Sequence, residues 1–582
     1  MPKRVLVVAV AAVVIAALGA YAIGRIGSDD EERVLGPTLD AMSDAIGAPV
    51  MEHVRRGHVP DRSAEVYLVP KPHYYLAGQW DLTTLGTDTP WTSTAHPSPW
   101  AYTARVPLIF NGPNVPRGEV VYDQVDIASV APTYAEILGV EGLDAEAPSL
   151  DEIVAGSGIA EGLPDRPKAI LSIVLDGGGW NVLQKHPDSW PTIKKLADTG
   201  TSYVNATIGS SPSITGALHA TFGTGTYPRT HGLPGNQMRS PEGENVDTWL
   251  QEADGRYLEA PAVSELWDEQ NNNKPVVGTV SYEGWHLGMI GKGALREGGD
   301  KDVAVLWDHE DEGWWINEDY YELPKVAQET DFETLERYEE ELDLRDGLED
   351  GTWFGHTLEE LQDVKVRPGT PAFVKFTGDI SVETMRETKV GADSLTDFFW
   401  IEMKMPDFAG HQWNMEFAEQ EDVLRETDRQ VARFVEQVKE QSGNDFLVMI
   451  SADHGQQPLP DYLGGWRINT DEVLKDVERE FGNVVEKVTT TDIFMDMDAV
   501  DRLGVDLDEV ARWLGAYTIG DNVPTGAPGF DRVPSSRRDD TLFAGVFSTG
   551  YLQNLTDEDI QSFGDSDYEE GDYTIERGGE QE

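Results

Sequence analysis

Cysteine is missing from all 582 residues. Its absence excludes disulfides, zinc–thiolate sites, cysteine nucleophiles and iron–sulfur clusters, and removes redox chemistry as a guide to compartment. Basic residues are scarce, with 45 Lys and Arg against 105 Asp and Glu, a net charge of −60. Such a surface repels nucleic acid and anionic lipid, so duplex nucleic-acid binding is not expected. The plain reading of that charge is a solvated acidic surface suited to salt; a sharper one is that the carboxylates attract metal cations. There is no internal repeat. One long apolar run is present behind Lys3 and Arg4, "VLVVAVAAVVIAALGAYAIG", and about 20 such residues span a bilayer. The positive flank predicts a transmembrane anchor over residues 1–25, with the rest of the chain outside the cytoplasm. An "AYA" ending at Ala22 leaves secretion after signal cleavage as the alternative.

A hydrophobic content of 39% with 16 Trp supplies a globular interior, and the length implies more than one lobe or large insertions. Residues 26–60 read as a linker containing a short amphipathic segment. A first block over 61–145 holds "EVYLV", "VPLIF" and a helix-like pattern ending at Gly139. Three later runs, "KAILSIVLDGGGW" (168–180), "FFWIEMKMPD" (398–407) and "DFLVMISADHG" (445–455), suit buried parallel strands that end in polar turns. Between the last two, Val423, Leu424, Thr427, Val431, Phe434, Val435 and Val438 mark one helix face. The alternation predicts an α/β fold with a mostly parallel sheet flanked by helices on both faces. Core segments are placed at 165–280 and 396–460, cap insertions at 281–395 and 461–555, and an acidic disordered tail at 556–582.

The three strand ends stop on carboxylates and two add histidine: Asp176, Asp407 with His411, and Asp453 with His454. Parallel strands deliver their carboxyl ends to one crevice. Carboxylates and imidazoles gathered there would hold divalent cations, and a mixed Asp/His shell suits Zn²⁺. The Ser/Thr-rich segment 210–236 offers hydroxyls at Ser211, Ser213 and Thr215, followed by His219. A threonine hydroxyl becomes a nucleophile when a divalent metal lowers its pKa; the plainer alternative is a helix cap.

"LDGGGWN", "SITGALHATFGTGTYPRTHGLPGN", "PDFAGHQWN" and "SADHGQ" resemble, in order and spacing, the successive motifs of the alkaline phosphatase superfamily. The similarity is to the branch of type I phosphodiesterases/nucleotide pyrophosphatases and single-Thr phosphomonoesterases. It implies Thr215 as the nucleophile that forms a phospho-enzyme, with Asp176, Asp453 and His454 around the metal that activates it. It further implies Asp407 and His411 on a second metal, Asn236 on a phosphoryl oxygen, and a packing role for His219.

The family pattern also has a third ligand on the second metal, a histidine near the end of the domain, and no histidine follows His454. The segment "AHPSPWAYTARVPLIFNGPNVPRG…DIASVAPTYAEILGV" resembles the family's carboxy-terminal part but stands at the start of this chain. A circular permutation would let His96 complete the site. In the cap segment "SYEGWHLGMIGKG" (281–293), the positions where the phosphomonoesterases carry Lys and Arg read Glu283 and Trp285, with Lys292 as a substitute cation. Leu218 stands where the phosphodiesterases have asparagine. The resulting expectation is a metal-dependent hydrolase of small phosphoric esters, acting on diesters or pyrophosphates. A phosphomonoesterase or envelope phospho-group transferase is the alternative, and a surface-anchored pseudoenzyme the reading from another class.

Overall fold

The structure, a computed structural model, describes residues 33–77, 94–156, 166–249, 252–308, 312–523, 526 and 530–568. Among them no helix is long and apolar enough to cross a membrane. The apolar run expected to be an anchor lies outside the described residues.

Ten strands form the main sheet: β1 (Leu108–Asn111), β2 (Glu119–Val121), β3 (Ala169–Leu175), β4 (Thr201–Tyr203), β5 (Val277–Val280), β6 (Asp302–Asp308), β7 (Gly313–Trp315), β8 (Tyr321–Glu322), β9 (Asp397–Met403) and β10 (Phe446–Ser451). Their order is β7-β6-β5-β9-β3-β10-β1-β4-β2, with β8 beside β6. The centre, β6-β5-β9-β3-β10, is parallel. Every residue of β3, β9 and β10 is buried, as expected where helices cover both faces and apolar runs need no alternation. The helix Val130–Leu138 packs Tyr134 against Phe398 and Trp400, and Phe222 of the helix Thr215–Thr224 reaches the same Trp400. The long helices Pro371–Thr388 and Ala418–Ser442 pack on each other and on the central strands.

Register fixes where the polar ends emerge. Leu175 of β3 pairs with Met403 of β9, and Ser451 of β10 pairs with Val174. Asp176, the 404–407 turn and Asp453 therefore leave the sheet at one edge. On the other side of β10 runs β1, antiparallel, with Ile450 opposite Ile109. The segment 94–107 thus reaches the same edge from the opposite chain direction.

A second lobe has its own apolar core and a four-stranded antiparallel sheet, Val485–Val488, Asp492–Met495, Val66–Pro70 and Phe543–Ser548 in that order. Four expected boundaries change. The segment 281–395, expected to be a cap, supplies β6, β7 and β8 to the large sheet. The described part of the 26–60 linker is helical, Leu39–Ile46 and Ala48–Gly57, and buries Met42, Ile46, Met51 and Val54 in this lobe. The 61–145 block is divided: Val66–Pro70 joins the second lobe, and Tyr74–Ala77 pairs with Trp466–Asn469. Only its part from Thr94 onward belongs to the large sheet. The tail begins as a capped helix, Asp557–Ser562, with Ile560 buried, and residues 569–582 lie outside the described residues.

Candidate metal centre and active site

The turn after β3 is tight because two other elements press on it. Gly177 has φ +67°, and a Cβ there would stand 2.7 Å from Gln456 Nε2 and 2.8 Å from Asp407 Cα. Only glycine lets the backbone carrying Asp176 approach Asp407 this closely. Gly177 N–H donates to Asp453 Oδ1 at 3.1 Å, tying the ends of β3 and β10 together. Asp407 and His411 lie one turn apart on the helix Met405–Trp413, with His411 Nε2 3.3 Å from Asp407 Oδ1.

His96 arrives from the segment before β1. Its Nε2 is 3.7 Å from Asp407 Oδ1, and its ring stacks on His454 with centroids 3.6 Å apart and lies 5.1 Å from the His411 ring. His454 Nε2 is 3.5 Å from Asp176 Oδ1 and 3.2 Å from Asp453 Oδ2.

The three histidines share a proton arrangement. Nδ1 of His96, His411 and His454 faces the carbonyl oxygens of Ser213, Thr94 and Gly455 at 2.6, 2.7 and 3.0 Å. A carbonyl only accepts, so Nδ1 carries a proton in each and Nε2 is the nitrogen turned toward the centre. Burial pushes the His96 imidazole down to about 4, against the pull of Asp407, and pushes His454 far below its ordinary range. Imidazoles held in this way turn Nε2 toward a site where a metal would be bound. Buried Asp176 Oδ1, Asp453 Oδ2 and His454 Nε2 have no hydrogen-bond partner. Donor atoms of His96, Asp407 and His411 lie within 4.8 Å of one another, as do those of Asp176, Asp407 and His454. Buried acceptors without donors, grouped at this spacing, fit two adjacent divalent cations.

Thr215 opens the helix Thr215–Thr224 and is buried, its hydroxyl at the positive end of the helix dipole. Asn236 accepts from Gly216 N–H at 2.9 Å, which sets it against the same helix start. His219 donates Nδ1–H to the Thr215 carbonyl at 2.9 Å and comes within 3.8 Å of Asp453. A cavity of about 380 Å³ opens over the centre, lined by His96, His411, Asn236 and Trp285 and, from the second lobe, Thr489 and Phe494. Glu283 and Lys292 are not among its lining residues.

Two residues at the centre were not expected from the sequence. Lys404, three residues before Asp407, places Nζ 2.9 Å from Asp176 Oδ2, 2.8 Å from Asp407 Oδ2 and 3.3 Å from Thr215 Oγ1. Burial opposes its charge, but Asp176, Asp407, Asp453 and Glu402 outweigh burial and hold the ammonium well above the ordinary lysine range. His286, in the cap segment, sets Nε2 3.4 Å from Asp176 Oδ2 and 3.6 Å from Glu402 Oε2. Lys404 stands in plain view within "EMKMPD"; nothing local marks His286, which reaches the site through a tertiary fold-back. Burial raises Asp176, Asp453 and Glu402 above the carboxylate range. Asp407 goes the other way: His411, Lys404 and His96 overcome its burial and hold it well below that range.

A family model of type I phosphodiesterase / nucleotide pyrophosphatase matches residues 170–512. Alkaline phosphatase PafA of Elizabethkingia meningoseptica is 21% identical over 405 residues, covering 60% of this chain and 72% of the relative. Alkaline phosphatase PhoV of Synechococcus elongatus is 24% identical over 341 residues, covering 51% and 60%. The crystal structure of wild-type PafA matches with a TM-score of 0.51 at 18% identity over 66% of this chain and 84% of that one. With more than half of its length matching the family, the chain belongs to the type I phosphodiesterase/nucleotide pyrophosphatase family, within the alkaline phosphatase superfamily of phosphoric-ester hydrolases.

Proposed function

We propose that this protein hydrolyses phosphodiesters or pyrophosphates with Thr215 as nucleophile, at a centre holding two divalent cations, Zn²⁺ by the chemistry of the donors. Asp176, Asp453, His454 and the Thr215 oxygen form one shell; Asp407, His411 and His96 form the other. When bound, the two ions lower the pKa of the attacking hydroxyl and neutralise charge on the leaving oxygen. Thr215 gives its hydroxyl proton to solvent and its Oγ forms a bond to phosphorus as the ester or anhydride P–O bond breaks; the departing group leaves as an alcohol, protonated by solvent, or as a phosphate. Water then displaces Thr215 from the phospho-threonine and releases the phosphorylated product. Asn236, fixed by Gly216 N–H, orients a nonbridging oxygen beside the helix N-terminus. Thr94, Ser213 and Gly455 carbonyls hold the three imidazoles with Nε2 inward throughout.

The observation that carries this reading is the placement of His96. It comes from a segment that precedes the family match, yet lies beside Asp407 and His411 with its proton parked on the far nitrogen. The antiparallel pairing of β1 with β10 brings it there. A circular permutation that moved the family's last segment to the front of the chain accounts for both facts. Trp285 in the cavity wall supports a flat leaving group and a diester over a monoester. The relatives' names, alkaline phosphatases, favour the monoester reading. We place the catalytic part outside the cytoplasm, held by the apolar N-terminal run.

The deciding experiment compares bis-p-nitrophenyl phosphate with p-nitrophenyl phosphate as substrates, with Thr215→Ala as control and metal content measured in parallel. Two equivalents of metal and faster diester turnover, abolished in Thr215→Ala, are expected. No bound metal and no turnover would leave a binding module on a hydrolase fold.

A further inference from the structure

Lys404 needs an explanation that its carboxylate contacts do not supply. It is 6% exposed, at the turn between β9 and the helix Met405–Trp413, and its Nζ reaches Asp176, Asp407 and Thr215 together. Among the described residues it is the one Lys or Arg paired with the buried carboxylates of the centre. Exposed Lys487, the one lysine lining the cavity, is occupied by Gln237 at 2.6 Å.

Charge balance argues against a purely structural tie. Four carboxylates, Asp176, Glu402, Asp407 and Asp453, are each at most 2% exposed. Two divalent cations on the proposed shells already match them. An ammonium is therefore not required to neutralise these carboxylates. Buried ion pairs are often no more stabilising than apolar groups of equal volume, so a methionine-like side chain would serve packing as well. What an apolar side chain lacks is an attraction for an incoming anion.

We propose that Lys404 is a catalytic residue of this centre, its ammonium gripping a nonbridging oxygen of the phosphoryl group under transfer from a position beside the Thr215 nucleophile. The inference rests on the two-metal, Thr215 reading. Lysine suits the task as a compact point charge on a flexible stem. Its Nζ already stands 3.3 Å from Thr215 Oγ1, the atom to which the phosphoryl group would be bonded. As charge moves from nucleophile to leaving group, a fixed cation at the transferred group lowers the barrier without reorganising solvent. No proton passes through it: the bond made is Thr215 Oγ–P, the bond broken is the ester P–O, and the lysine stays an ammonium.

The test uses the full chain loaded with Zn²⁺. Lys404→Met is expected to keep two equivalents of metal and its cooperative melt. Diester turnover should fall about 10²- to 10³-fold, the scale for removing one donor at a reacting oxyanion, and affinity for inorganic phosphate should drop at least tenfold. Because the chain has no cysteine, Lys404→Cys introduces a unique thiol. Alkylating it with 2-bromoethylamine under mild denaturant, followed by refolding, restores an ammonium; iodoacetamide installs a neutral amide instead. Recovery with the first reagent and not the second supports the proposal. It is overturned if Lys404→Met matches the parent in turnover and phosphate affinity. It is equally overturned if Lys404→Met loses its metal together with activity and the restored ammonium brings back neither. Should the parent itself hold no metal or turn over no diester, the two-metal reading fails, and phosphate affinity of parent against Lys404→Met decides the lysine on its own.

Discussion

His96 shows how one side chain can decide a site. It is 8% exposed, with Nδ1 hydrogen-bonded to the Ser213 carbonyl and Nε2 facing Asp407. Removing a group that only orients a ligand costs about 10- to 100-fold in metal affinity or activity, and a ligand should cost at least that. His96→Ala is therefore expected to drop metal content from two equivalents toward one and to lower diester kcat/KM by 100-fold or more. Metal analysis on the same preparation as the kinetics checks this, and full retention of both ions would remove His96 from the shell. The strand-end carboxylates and their histidines were legible because each follows a long apolar run. His96 was legible only through a displaced segment, since the loop around it has no periodicity. Lys404 was overlooked because a lysine three residues from an aspartate reads locally as a solvated turn residue; its burial is set by β3 and the Thr215 helix.

At the scale of elements, glycines set how closely the strand ends converge. Gly177→Ala would force a left-handed φ on a residue with a Cβ, costing about 1–2 kcal/mol, and would drive that Cβ into Asp407 Cα and Gln456. The Asp407 helix must move, so the expected result is a lowered Tm together with weakened metal binding. A surface glycine such as Gly443, with open space around it, should show the backbone cost alone when replaced. Thermal melts of both variants with and without Zn²⁺ separate the two effects. The strands β3, β9 and β10 could be read from sequence because their burial is total and their runs are long. The second lobe could not: Val66–Pro70 pairs with residues more than 400 positions away, and such pairings leave no local signal. The helices at 39–57 are short and amphipathic, and their packing partners, not their own propensity, keep them helical.

Each lobe holds a buried histidine whose protonation ties stability to pH. His58 accepts from or donates to Thr549 at 3.1 Å, and burial first, then Arg229, pushes it down to about 4. His231 lies against Thr221 and burial pushes it to about 3. Both lie apart from the residues of the metal centre. A histidine with a lowered folded pKa binds fewer protons folded than unfolded. Its contribution is thus complete above the unfolded value near 6.5 and is lost as pH falls through the folded value. For His58 the change is on the order of 3 kcal/mol between about pH 6.5 and pH 4. Melts of metal-free protein across that window should fall steeply, and His58→Gln should flatten the slope. An unchanged slope would mean that His58 is reached by water in the folded state.

The net charge of −60 acts on the molecule as a whole. Three arginines sit in partly buried clusters: Arg239 with Glu65 and Glu486, Arg345 with Asp422 and Glu426, Arg367 with Glu339 and Glu312. Pairs of this kind are only weakly screened by salt. The surplus carboxylates stay at the surface, where they repel one another and destabilise the compact state. Their repulsion extends about 10 Å at 0.1 M salt and about 3 Å at 1 M. Raising NaCl should therefore relieve surface repulsion while leaving the buried clusters intact, and Tm should climb from dilute buffer toward 1 M. Choline chloride at equal ionic strength serves as a control against specific sodium binding, and a matched rise with both salts is expected. If Tm fell with salt instead, attraction between surface pairs would outweigh repulsion among the excess acids. Activity should respond separately. A substrate anion must cross this negative surface to reach the proposed centre, so low salt should slow kcat/KM for a diester anion more than kcat. Measuring both constants across the same salt series distinguishes an effect on encounter from one on the fold.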